Sequence, residues 1–265
     1  MKGQADLFLG PFYSLLRKEV MRFLKVSMQT ILTPMVSSLL YLLIFGVSLG
    51  AYIQMKGGIS YLEFLIPGLV MMGCLNNAFQ NSSSSIIIAK FSGDLEDLKV
   101  APISYTQIIL AVALGGLVRG VVVGTITYVV GAIFCYFKAD TVIAIHHPLW
   151  LLVFIVLGGL SFSLLGLAAA FWAKSFDQMA AVNSFILLPL MYLGGVFFSI
   201  DNLHPFWQSI ARANPLIYFI NGVRYGILGV SDVTPEHACV VALVTLVLMY
   251  WLAFRTLARA SFLRW

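Results

Sequence analysis

The sequence predicts an all-α, polytopic membrane protein with six transmembrane helices. An amphipathic N-terminal interfacial helix precedes them, and a re-entrant helical hairpin lies before the last span. Three observations predict it. First, long stretches carry no Asp, Glu, Lys or Arg: between Lys25 and Lys56, Glu63 and Lys90, Asp140 and Lys174, Asp177 and Asp201, and Glu236 and Arg255. A further stretch, Tyr105 to Phe137, is broken only by Arg119. A helix needs about 20 mainly apolar residues to cross the hydrocarbon core. Second, the composition is 60% hydrophobic and 10% charged, against about 45–50% and about 25% for water-soluble domains. Third, Lys and Arg fall mostly on one side of the topology these stretches define.

The elements follow in order as one transmembrane domain over residues 1–265. Residues 9–25 place Phe12, Leu16, Val20 and Phe23 on one helical face, and Lys18, Arg22 and Lys25, with Arg17 beside them, on another. That pattern suits a helix lying in the membrane interface; a basic flank serving topology alone is the other reading. Span 1 covers Thr30 to Tyr52, span 2 Leu62 to Ala89, and span 3 Tyr105 to Phe137. Span 4 covers Pro148 to Trp172, span 5 Met179 to Ile200, and span 6 His237 to Phe254. The first span is too long for the apolar part of a signal peptide.

Residues 203–229 are too apolar for an aqueous loop, with Phe206, Trp207, Ile210, Leu216, Ile217, Tyr218, Phe219 and Ile220. Asn214-Pro215 favours a turn between two short helices. Each is too short to cross, so the pair should enter and leave from one side, with its broken backbone buried in protein. With the N-terminus in the cytoplasm, only Lys56, Lys138, Arg212 and Arg224 lie on the far side, and Arg119 lies within a span. Both termini are then cytoplasmic.

Chemistry-bearing motifs are few. No GxxxxGK[ST] loop and no HExxH occur, so nucleotide binding by a P-loop and zincin chemistry are excluded. The net charge of +5 reads as topology, not as nucleic-acid binding. No carboxylate lies at the middle of a span, against an ion-coupled transporter. The absence of an internal repeat argues the same way. His146-His147 precede Pro148 and read as a solvated interfacial pair. Cys74, Cys135 and Cys239 lack CxxC spacing and read as small buried hydrophobes, with a Cys135–Cys239 bridge the alternative.

Span 2 carries Asn76, Asn77, Gln80 and Asn81, then Ser82 to Ser85. Amides facing lipid lose their water partners at a cost of several kcal/mol. They should therefore face other helices, as interhelical glue, or line a hydrated pathway. Arg119 must face the bundle interior or water; pairing with polar groups or carbonyls is the favoured reading. Spacings such as Gly116/Gly120/Gly124 allow close helix approach. Residues 90–104, KFSGDLEDLKVAPIS, join acidic Asp94, Glu96 and Asp97 to apolar Leu95, Leu98 and Val100. On pattern alone this is a solvated connector or a docking element.

Taken in order, these pieces resemble the permease subunits of ABC-2-type ABC transporters, along nearly the whole chain. The family phrase E-x-L-x-x-A-P-I-S is matched at Glu96, Leu98, Ala101 and Pro102. The phrase N-P-L-x-Y is matched at Asn214, Pro215, Leu216 and Tyr218, followed by Arg224. The run Leu188 to Phe198, with Met191, Tyr192 and Phe197, is similar to the family's fifth span. Within the family the chain resembles the YadH-like bacterial subgroup.

The resemblance implies a non-catalytic permease in the bacterial cytoplasmic (inner) membrane. It implies a homodimer of this chain with two copies of a separate ABC ATPase, which holds ATP and Mg. Asp94, Glu96, Asp97, Leu98, Lys99 and Pro102 would form the coupling segment on that ATPase. Residues 9–25 would be the interfacial helix, in contact with membrane lipid. Asn76, Asn77, Gln80, Asn81 and Ser84, with Met191, Tyr192 and Phe197, would line the pathway. The implied activity is export of an amphipathic, lipid-linked or glycan-type substrate. A motion-transmitting subunit that does not transport, and a secondary transporter or channel, are the alternatives.

Overall fold

The charge-free stretches fold as helices whose ends are set by capping. The computed structural model describes residues 2–50, 52–53, 58–95 and 103–259, and all regular structure among them is helical. Helix α1 (Lys2–Leu24) meets α2 (Ser27–Tyr41) at a break around Val26, and α2 runs on into a π-helical stretch, Leu42–Leu49. Helix α3 is Tyr61–Ser92, α4 Tyr105–Ala139 and α5 Pro148–Trp172. Two capping boxes start the first two of these three. Ser60 and Glu63 satisfy one another's backbone N–H at the head of α3, and Ser104 and Gln107 do so at the head of α4. Gly93, in the left-handed region at φ 89°, ends α3.

Five segments are long and apolar enough to cross a membrane: Thr30–Leu49, Tyr61–Ser92, Tyr105–Lys138, Pro148–Trp172 and Pro235–Arg259, the last being α10. The fifth predicted span departs from expectation. Helix α6 (Phe176–Val182), a π-helical stretch (Asn183–Leu187) and α7 (Leu188–Tyr192) run together for 7, 5 and 5 residues, or about 26 Å. The helix then stops. Gly195 takes φ 82°, and the chain up to the short 3₁₀ turn Ile200–Asn202 is not helical. The charge-free run of Met179 to Ile200 therefore holds a short helix plus an apolar turn.

Helix α3 lies at the centre. Of its most apolar stretch 78% is buried, against 22% for Thr30–Leu49 and for α10. Glycines set the approach of α4 to α3. A Cβ on Gly116 would meet the Ala78 carbonyl oxygen at 2.9 Å, and one on Gly120 the Cys74 oxygen at 2.7 Å. The predicted small-residue spacing is thus a backbone contact face.

Side chains tie the helix ends together. At one end Lys90 donates from Nζ to the carbonyls of Ala173 (2.7 Å) and Phe171 (3.2 Å), which caps α5 with charge opposed to its dipole. Phe91 stacks on Phe176 at 4.8 Å there. At the other end Tyr61 donates to the Phe197 carbonyl at 2.8 Å. His146 and His147 lie at that end too. The His147 N–H bonds the Gly226 carbonyl at 2.8 Å, and its ring stacks on Tyr225.

Between the 3₁₀ turn and α10 come α8 (Pro205–Ala213) and α9 (Pro215–Leu228). Asn214 caps α9 through the Leu216 N–H (3.0 Å), and its Nδ2 donates to the Leu190 carbonyl (2.8 Å). Helix α9 runs antiparallel to the start of α5: Phe219 meets Phe162, Gly222 meets Phe154 and Gly226 meets Leu151. The segment's two ends meet, since Asp232 accepts from Ser199 Oγ (2.8 Å) and the Ile200 N–H (3.0 Å). Arg224, only 1% exposed, donates to the Gly195 carbonyl at 2.8 Å and lies 3.8 Å over the Phe64 ring. This closes α9, the turn after α7 and α3 into one unit. Cys74, Cys135 and Cys239 are free thiols.

Candidate translocation site

The polar run of α3 divides by face into three roles. The first is glue: the Ser82 and Ser163 hydroxyls are hydrogen-bonded to each other, and both reach the Val112 carbonyl, at 3.3 and 3.4 Å. This joins α3, α4 and α5 in the core. The second is a latch for α1. Arg22 donates to Ser84 Oγ (3.0 Å), to the Asn81 carbonyl (2.6 Å) and Oδ1 (3.1 Å), and to Glu19 (3.1 Å). Ser85 Oγ donates to Glu19 at 2.5 Å, and Glu19 is 5% exposed. The polar edge of α1 is therefore turned inward, and Phe23 is buried beside it. Arg17, Lys18 and Lys25 remain exposed.

The third role is the lining of two cavities. One, of about 250 Å³, lies among α2, α3 and α4 and includes Ser37, Tyr41, Asn76, Asn77, Thr127 and Leu188. The other, of about 500 Å³, lies at the α1–α2 break and is bordered by Arg22, Thr30, Ser84, Ile88, Met179 and Asn183. Gln80 and Arg119 border both. Gln80 donates to Asn76 Oδ1 at 3.1 Å, so the amides form a continuous strip between the two spaces. The expected pairing of Arg119 is not found: among the described residues it makes no hydrogen bond or ion pair, and its Nε–H is buried without an acceptor.

Aromatic rings gather at the far end of the smaller cavity. Phe197 lies 5.6 Å from Tyr41, 4.8 Å from Phe45 and 5.7 Å from Tyr192. The Tyr41 and Tyr192 hydroxyls are 3.4 Å apart. Tyr192 is exposed and Phe197 half-buried, whereas Met191 packs in the core at 1% exposure and borders neither cavity. Of the predicted lining residues, Asn76, Asn77, Gln80 and Ser84 reach a cavity, while Asn81 is 0% exposed and holds Arg22.

Of the predicted coupling residues, Asp94 follows α3 and lies 3.9 Å from Lys18 across a solvent-exposed gap. Glu96, Asp97, Leu98, Lys99 and Pro102 lie outside the described residues. No cluster of three or more metal-ligating side chains occurs among the described residues.

The amides of α3 and the unpaired Arg119 thus border two neighbouring cavities within a helical bundle. The sequence profile of the family described as ABC-2 type transporter matches residues 11–228. The chain belongs to the ABC-2 type transporter family. It is similar to the inner membrane transport permease YadH of Escherichia coli K12, with 38% identity over 95% of this chain and 96% of that protein. It is also similar to nodulation protein J of Neorhizobium galegae, 27% identical over 82% of each chain. A third relative, nodulation protein J of Rhizobium meliloti, is 27% identical over 80% of this chain and 79% of that protein. The permease is thus a multi-pass helical membrane protein of a transport family.

Sequence reasoning missed Glu19, Thr30, Ser37 and Tyr41. The signal for Glu19 was a lone carboxylate three residues before Arg22 in a basic segment. For span 1 it was the run Thr30, Thr33, Ser37 and Tyr41, polar at helical spacing in an otherwise apolar helix.

Proposed function

We propose that the permease is the membrane half of an ATP-driven exporter, working with a separate ABC ATPase. It moves an amphipathic, lipid-linked or glycan-type substrate out of the cytoplasm or the inner leaflet. The observation that carries this reading is the amide strip Asn76–Gln80, which joins two cavities through Gln80 and Arg119. Amides and hydroxyls suit a hydrogen-bonding head group, and Tyr41, Tyr192 and Phe197 suit chains or sugar faces. Two copies assemble as a homodimer with two ATPase subunits, because a two-fold axis pairs the same cavity face of each protomer.

In this reading both termini are cytoplasmic and the membrane is the bacterial inner membrane. Helix α1 lies in the interface, with Tyr13, Met21 and Leu24 exposed toward lipid. The α6–α7 segment completes a sixth crossing with help from the turn that follows it, and residues 203–229 form a re-entrant hairpin around Asn214-Pro215. The chain itself hydrolyses nothing; ATP and Mg belong to the partner.

The test is reconstitution of the permease with its ATPase in liposomes. Asn77→Trp, which fills the smaller cavity, is expected to abolish substrate-stimulated ATP hydrolysis and export while dimer yield stays normal. Normal export with Asn77→Trp would place the pathway elsewhere. Stimulated hydrolysis without any export in the wild type would favour a motion-transmitting subunit.

A further inference from the structure

We infer that Arg119, backed by Arg22, forms a binding site for an anionic head group carried on an apolar chain. The inference rests on the permease reading and narrows its substrate class to phosphate- or carboxylate-bearing amphiphiles.

Three features of the larger cavity point to an acceptor-rich ligand. Arg119 and Arg22 both border it, and the Nε–H of each is buried without an acceptor. Thr30 Oγ1, on the same wall, is also buried and unpartnered. The free guanidinium of Arg119, the positive charge of Arg22 behind it and the Thr30 hydroxyl suit an oxyanion. A buried, unneutralised guanidinium is costly without a counter-charge.

Among the described residues no carboxylate borders the cavity. Glu19, which pairs with Arg22, also accepts from Ser85 and does not border the cavity. Glu63, Asp94, Asp140 and Glu236 lie at the ends of the long helices, and Asp177 is exposed in the first turn of α6. Besides the polar Gln80, Ser83, Ser84 and Asn183, the wall is apolar, with Phe23, Val26, Ile87, Ile88, Phe176 and Met179. An anion held at Arg119 is thus flanked by surface that takes a hydrocarbon chain.

The test is native mass spectrometry of the full-length permease in neutral detergent, titrated with dioleoylphosphatidylglycerol or with dioleoylphosphatidylcholine. The chains and the phosphodiester are identical, so the pair differs only in the head-group alcohol, neutral glycerol against cationic choline, which leaves one lipid anionic and the other zwitterionic. The phosphatidylglycerol is expected to bind at least ~10-fold more tightly, since hydrogen bonds to a charged group are worth that much. Arg119→Gln should erase the preference and Arg119→Lys should keep most of it. Ala180→Trp, at an exposed position on the apolar wall, should weaken phosphatidylglycerol binding with both arginines intact. Equal affinities in the wild type overturn the proposal, as does an unchanged preference in Arg119→Gln or unchanged binding in Ala180→Trp. So does displacement of the lipid by inorganic phosphate at equal concentration, which would show a free-anion site. The measurement needs no ATPase and no transport. Failure here leaves the exporter reading standing, whereas export lost without loss of lipid binding bears only on that reading.

Discussion

Three arginines of this permease sit under three electrostatic regimes, and the difference decides what each does. Arg224 is sealed in protein, with the Gly195 carbonyl and Asn221 Oδ1 as acceptors and the Phe64 ring beneath it. Arg22 is shared between a carboxylate and the backbone of α3. Arg119 has neither. Truncating a buried donor leaves its acceptor stranded, at about 1–3 kcal/mol. Arg224→Met is therefore expected to lower stability by about 2 kcal/mol, read as an earlier transition in detergent thermal unfolding, while Arg119→Met is expected to cost less or to stabilise. Equal losses in both would mean that Arg119 has a structural partner after all. From the sequence alone, Arg119 was legible as a buried charge because no other Lys or Arg interrupts a span. Its lack of a partner was not legible, since pairing depends on which helix faces meet.

At the scale of elements, the hydrophobic pattern located five of the long segments to within about five residues. At the fifth predicted span it misplaced the end, since the helix stops at Tyr192 rather than Ile200. An apolar residue count cannot tell a lipid-facing helix from an apolar turn packed on α9, and only Gly194-Gly195 marked the break. The N-terminal helix was legible as amphipathic, but the pattern put Arg22 on the solvent side. The competing fact is that an arginine with carbonyl and carboxylate acceptors in reach is better satisfied inward. A double-mutant cycle of Arg22→Ala and Ser84→Ala is expected to give a coupling of about 1–2 kcal/mol, read from stability; additivity would mean the latch carries no energy.

The break between α8 and α9 was legible from Asn214-Pro215, and the structure brings the ends of this segment together at Asp232. That carboxylate holds Ser199 and Ile200, so cysteines belong at Asp201 and at exposed Val230. Both are expected to react with an impermeant reagent from the periplasmic side. Labelling of one from each side would show a crossing instead of a hairpin.

Across the whole molecule, one end of the bundle concentrates its mechanical links. Lys90 grips the last carbonyls of α5, Phe91 stacks on the first residue of α6, and Tyr105 meets Phe254 of α10 edge-on at 6.3 Å. Residues 90–104 join α3 to α4 at this end, so a displacement there is passed to α5, α6 and α10 through contacts already made. Exposed charge pairs contribute up to about 1 kcal/mol each and are screened by salt. A protein interface with a rim of such charges uses them for orientation more than affinity. The double change Glu96→Lys/Asp97→Lys is therefore expected to leave the membrane domain folded and to weaken ATPase association by no more than about 10-fold. Export should be lost, because the docked segment no longer seats in the orientation that moves α3. Copurification measures association, and vesicle transport measures export. Unchanged export would assign residues 90–104 to a solvated connector. Lost association together with lost export would mean that these charges hold the partner rather than orient it.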